Sequence, residues 1–106
     1  MYNIKDKLKS VNSEGFTIAL KGETKRYVIG LTHNKANVTY KKLEEQAENY
    51  KTINNINVGW WVDSETNKKY IDVSTSSDDL SFAKRLAKFY NQIAIYDLIS
   101  GCEIRI

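Results

Sequence analysis

Laid over one another without a gap, residues 17–32 (TIALKGETKRYVIGLT) and 59–74 (GWWVDSETNKKYIDVS) share a pattern that restricts the fold more than any other feature of the chain. Ile18 falls on Trp60, Leu20 on Val62, Glu23-Thr24 on Glu65-Thr66, Ile29 on Ile71 and Leu31 on Val73. Apolar residues occupy alternate positions, and a polar stretch interrupts them midway. A period of two is that of a strand with one face in a core, so each copy is expected to form a two-stranded β-hairpin around its polar turn.

A helix is expected after each hairpin. Thr39 is the N-cap candidate for residues 40–53, where Tyr40, Leu43, Ala47, Tyr50 and Ile53 recur at helical spacing and Glu44, Glu45 and Glu48 lie mostly off that stripe. The second helix is expected to start near Ser77, with Asp78 and Asp79 in its first turn and Lys84, Arg85 and Lys88 nearer its end, as the helix dipole favours. Leu80, Ala83, Leu86 or Ala87, and Tyr90 form its apolar stripe, and the small alanines would let it sit close to a sheet.

A third hairpin closes the chain, from QIAIYDL (92–98) through Ser100-Gly101 to CEIRI (102–106). Counting from that turn pairs Asp97 with Ile104 and Ile95 with Ile106, placing Ile93, Ile95, Ile104 and Ile106 on one face. Ile4, Leu8 and Val11 suggest a short amphipathic helix over residues 2–11. The expected fold is a single α+β domain over residues 1–106, with element order α-ββ-α-ββ-α-ββ. Three hairpins form a mostly antiparallel sheet, covered by two main helices and a short N-terminal one.

With 42% hydrophobic and 27% charged residues the chain has a globular balance, which argues against disorder. A net charge of +3 falls short of the dense basic footprint of a dedicated DNA binder. The opening MYNIKDKLKS has no apolar run of the kind that directs export, and no stretch approaches the length of a membrane span, so a cytoplasmic location is expected, with no membrane partner.

No residue set specifies a reaction, and a non-enzyme without cofactors is expected. His33 and Cys102 are the only residues of their types, too few for a nitrogen and sulfur metal site. Asp63, Glu65 and Asn67 imitate the start of a calcium loop, but Lys68 stands where glycine is needed and Ser74 where a bidentate glutamate is, so a hairpin turn accounts for them better. Neither a nucleophile elbow nor a glycine-rich phosphate loop occurs.

Trp60 and Trp61 are adjacent in a strand, so their side chains are expected to diverge. If Trp60 follows Val58 and Val62 to the helix-covered face, Trp61 falls on the other face with Asp63, Tyr70 and Asp72. The same parity adds Ala19, Val28, Tyr96 and Leu98, with Glu103 and Arg105 nearby. A face so apolar must be covered by an end helix or loop, by a second copy in a homodimer, or by a partner. Aromatics with an arginine at the rim are what interface centres use, which makes Trp61, Tyr70, Tyr96, Asp72 and Arg105 a candidate partner-binding patch. Lys21, Lys25, Arg26, Lys68 and Lys69, in the first two hairpin turns, are candidate nucleic-acid contacts for the alternative of a small nucleic-acid-binding accessory or regulatory protein, which would also use the aromatic sheet face.

Gly59, Trp61, Asp63, Thr66, Lys68 and Tyr70 to Ser74, then Asp78-Asp79-Leu80, then NQIAIYDL at 91–98, together with GFTI at 15–18, resemble a group of small phage and mobile-element proteins. The likeness covers about two thirds of the chain. It departs at Asn67 and at Ser100-Gly101, where Thr-Gly and Asn-Gly would fit that pattern. The resemblance carries no catalytic residue across. It implies a setting in a bacterial host cell and a host protein as partner, with a CRISPR-Cas or other defence effector as the expected target of an anti-CRISPR-like inhibitor.

Overall fold

A computed structural model describes residues 16–34, 37–62 and 65–106, without the side chains of Phe16, Trp61 and Val62. Among the described residues, six strands and two helices follow one another as β1 (Phe16–Lys21), β2 (Tyr27–Gly30), α1 (Tyr40–Asn49), β3 (Ile56–Val62), β4 (Lys69–Ser77), α2 (Leu80–Phe89), β5 (Ala94–Asp97) and β6 (Cys102–Arg105). All the pairings are antiparallel, in one sheet of order β1-β3-β4-β2-β5-β6. The α+β class is as the sequence predicts; the helix expected over residues 2–11 lies outside the described residues.

Both helices begin where their capping residues dictate. The Thr39 hydroxyl accepts the Lys42 N–H at 3.1 Å, and Leu43 and Ala47 then turn fully into the core. This helix stops at Asn49 instead of 53, because the Tyr50 N–H turns back to the Ala47 carbonyl and tightens the last turn. Ile53 still packs against the core from the turn that follows. The second helix starts after Asp79, whose carboxylate accepts the Phe82 N–H at 3.1 Å. Its expected start near Ser77 is too early, since β4 runs on through Ser77. Ala83 and Ala87 are fully buried, so α2 approaches β2 and β5 closely, with Leu80 and Leu86 filling the flanks.

Strands β1 and β2 do not form the expected hairpin. The β3–β4 hairpin lies between them: β1 takes β3, with Ile18 opposite Val58, and β2 takes β4, with Tyr27 opposite Ser77. The hairpin-helix repeat therefore holds as an alternation of apolar residues and fails as a rule of pairing. Alternation tells a strand which face to bury, and any antiparallel neighbour with the same inward face satisfies it.

What selects the interleaved order is a polar junction where residues 22–26 cross the open end of the β3–β4 hairpin. Gly22 makes the corner at φ +69°, where a Cβ would lie 2.5 Å from the Asn54 carbonyl oxygen. Thr24 donates to the Asn57 side chain at 2.7 Å, the Lys25 N–H to the Ser76 hydroxyl at 2.7 Å and the Arg26 N–H to Asp78 at 3.0 Å. Asn55 completes the junction by accepting from the Ser76 N–H and hydroxyl at 2.8 and 2.7 Å while its amide donates to the Ser76 carbonyl. The crossing backbone thus finds partners that a two-strand hairpin would have supplied from its own ladder.

In the last hairpin the register differs by two residues from the expected one: Ile95 faces Ile104 and Asp97 faces Cys102. The turn spans 98–101 because Asp97 organises it, its carbonyl accepting the Gly101 N–H and its carboxylate the Ile99 and Ser100 N–H groups. A shift of two preserves the face, so Ile95 is buried under α2 with Ile104 beside it, while Ile93 and Ile106 sit at the exposed end. In the β3–β4 turn, Asn67 takes the left-handed conformation at φ 61°, which asparagine tolerates.

Asn55→Ala should therefore lower unfolding stability by about 2–3 kcal/mol, since it strands polar groups of Ser76 and loosens the crossing. Urea denaturation measures this; a loss below about 0.5 kcal/mol would show that the junction does not hold the strand order.

Candidate functional site

Strand parity separates two faces. Ile56, Val58, Ile71 and Val73 are buried beneath α1, and Trp60 is half-buried against the same cluster, as expected. The opposite face carries Asn57 and Gly59 from β3, Tyr70, Asp72, Ser74 and Ser76 from β4, Val28 and Gly30 from β2, Tyr96 from β5, and Glu103 and Arg105 from β6. Trp61 pairs with Tyr70 in the β3–β4 ladder, and its side chain lies outside the described residues, as does Asp63.

This second face divides into a closed centre and an open margin. Asn57, Ser74, Ser76 and Val28 are buried and Tyr70 is half-buried. Tyr96 is 42% exposed, and its hydroxyl donates to the Gly101 carbonyl at 3.1 Å, which fixes the ring over the end of the last turn. Arg105, on the outermost strand, lies 3.3 Å from Glu103 and 3.9 Å from Glu65 in the β3–β4 turn. Two strands separate β4 from β6 in the sheet, so the contact with Glu65 requires the β3–β4 ribbon to bend across this face beyond the end of β2. Tyr70 on the ribbon, Tyr96 on β5 and Arg105 on β6 thus share this face.

Asp72 does not belong to an exposed patch, which corrects the expectation for it. It is 6% exposed and accepts from the Thr32 hydroxyl at 2.7 Å and the Asn34 N–H at 2.6 Å. The Asn34 amide in turn exchanges two hydrogen bonds with Gln46 on α1, and its carbonyl accepts the Ile71 N–H. The carboxylate therefore ties residues 31–34 to β4 and to the helix above. No residue pattern announces this, because the donors lie 38 and 40 positions away in the sequence.

The candidate nucleic-acid contacts do not converge. Lys21, Lys25 and Arg26 stand at the open end of the β3–β4 hairpin, whereas Lys68 and Lys69 stand at its tip, at opposite ends of the nine-residue strand β4. At about 3.3 Å per residue the two groups are roughly 26 Å apart. Lys21 donates to the Lys51 carbonyl, and Lys25 lies 3.5 Å from Glu23. Arg26 makes a bidentate pair with Asp97, both bonds at 2.9 Å, with its guanidinium 4.9 Å from the centre of the Tyr27 ring. That pair joins the start of β2 to the end of β5 and occupies the fork a phosphate would need.

Among the described residues no three His, Cys, Asp or Glu side chains come together as metal ligands, and no helix is long and apolar enough to cross a membrane. His33 is exposed, with a ring nitrogen 3.2 Å from the Gln92 amide, and Cys102 is exposed on β6. Comparison of the chain with protein-family models, with curated proteins and with solved structures finds no match.

Arg26 holds the Asp97 carboxyl well below the usual carboxylate range, against the opposing effect of burial and with help from the Ile99 and Ser100 N–H groups. A depressed folded-state pKa contributes stability that is complete above the unfolded value, near pH 4, and is lost as pH falls towards the folded value. Asp97→Asn should accordingly flatten the fall in stability on the acid side of about pH 4, measured by urea midpoints across pH. An unchanged acid slope would mean that the ion pair contributes nothing.

Proposed function

We propose that the protein is a non-enzymatic binding protein of phage or mobile-element origin that inhibits a host defence effector, in the manner of an anti-CRISPR, by covering part of its surface. Inhibition by occlusion needs a shaped surface and no reacting groups. The observation that carries the reading is the open part of the second sheet face, where Tyr96 is 42% exposed and Arg105, on the outermost strand, lies beside Glu103 and Glu65. Aromatic rings fixed by their own hydrogen bonds cost little entropy on binding, and arginine adds directional donors, the combination that concentrates binding energy at interface centres. The phage setting rests on the resemblance of the GWW hairpin and the NQIAIYDL strand.

The contact set is Trp61, Tyr70, Tyr96 and Arg105, with Asp72 as the internal brace behind them. The division of the basic residues between two ends of the sheet favours a protein partner over nucleic acid.

Affinity capture from host lysate, with and without nuclease, tests this reading. Tyr96→Ala and Trp61→Ala should each reduce partner capture by at least about thirtyfold while leaving the circular dichroism spectrum unchanged. Lys84→Ala, on the solvent side of α2, should leave capture intact. Loss of capture on nuclease treatment would replace the protein target with a nucleic acid.

A further inference from the structure

Among the described residues β6 has β5 as its sole neighbour in the sheet, and we propose that its outer edge pairs antiparallel with the β6 edge of a second copy, joining two sheets across a two-fold axis at Ile104. The pairing is a separate inference from the contact surface above and does not depend on it.

The hydrogen-bond phase of β6 supplies the first support. Ile106 donates its N–H to the Ile93 carbonyl at 3.0 Å, so 93 and 106 form a hydrogen-bonded pair. Such pairs alternate along an antiparallel ladder, so Cys102, Ile104 and Ile106 turn their backbone groups towards β5, and Glu103 and Arg105 turn theirs outward. A second β6 strand centred on Ile104 would place Glu103 opposite Arg105 of its copy, and Arg105 opposite Glu103. Both are hydrogen-bonded positions, giving about four backbone hydrogen bonds across the axis.

Charge selects this register from its neighbours. Side chains opposite one another must share a face, so the strand can slip only by steps that keep parity. Centring the axis on Glu103 opposes two carboxylates, and centring it on Arg105 opposes two guanidinium groups. Only the Ile104 register sets opposite charges against each other twice on the outer face. On the helix side it brings Ile104 against Ile104 of the copy and carries Ile106, 40% exposed in one copy, over Cys102 of the other.

The two sheet edges also differ. β1 carries a register irregularity between Ala19 and Lys21, a device that discourages further pairing, whereas β6 pairs with β5 without a break. Edges guarded by charge are usually guarded by like charge, which repels a second copy; the Glu-Ile-Arg sequence of β6 is complementary to itself.

Sedimentation equilibrium of the full chain over a concentration series tests the proposal. The wild type should dimerise reversibly. Glu103→Arg alone and Arg105→Glu alone should each weaken dimerisation by at least about tenfold, and the double exchange should restore it. In a Cys102→Ser background, Ile104→Cys should form an interchain disulfide on mild oxidation, because Cα atoms of a non-hydrogen-bonded pair lie about 4.5 Å apart, within disulfide range. A wild type that stays monomeric at all concentrations, a dimer indifferent to the single reversals, or a double exchange that fails to restore association would overturn the proposal.

Discussion

The fold depends on the junction at which residues 22–26 cross the end of the β3–β4 hairpin. Asn55 stands at its centre, holding the backbone and hydroxyl of Ser76, while the Ser76 hydroxyl takes the Lys25 N–H. Thr24 is joined to Asn57, a fully buried side chain on the face away from the helices. Polar groups removed from water cost free energy unless each finds a partner, so a junction of this kind is stable in few geometries. Once it is set, β1 and β2 are fixed on opposite sides of the central hairpin, and the positions of both helices follow from the strands they connect.

Local features of this architecture are legible in the sequence. The GWWVDSETNKKYIDVS hairpin pairs as its alternation implies, with Trp60 opposite Ile71, and Thr39 caps its helix. Ala83 and Ala87 mark the close approach of α2. Features that depend on distant polar side chains are not legible. Residues 17–32 carry the same alternation as the central hairpin, and only the partners of Thr24, Lys25 and Arg26, more than 30 positions away, separate the two outcomes. The last turn misleads for a related reason: Asp97 lengthens it with its own carboxylate, and a dipeptide signal at Ser100-Gly101 does not reveal that.

The candidate site shows the same division. Parity places Tyr70, Tyr96 and Arg105 on one face, and the structure keeps them there. It also moves Asp72 and Arg26 from surface chemistry into internal structure, each satisfied by a neighbour that sequence spacing cannot supply. Asp72 and Arg26 are poor candidates for recognition, because a ligand must first displace two short hydrogen bonds at each, whereas the ion pairs of Arg105 are longer and exposed. What remains exposed at the margin is Tyr96, with mixed charge at the rim.

The interleaved strand order has a consequence for synthesis. A nascent chain presents β1 and β2 before any of their neighbours exist, since Ile18 waits for Val58 and Tyr27 for both Ser77 and Asp97. Alternating apolar strands without mates are the segments that attract one another on crowded ribosomes. Assembly must begin with the central hairpin, after more than half of the polypeptide has emerged, and β1 and β2 can only be captured afterwards. Expression should thus be more sensitive to translation speed and to chaperone supply than the modest size of the chain suggests.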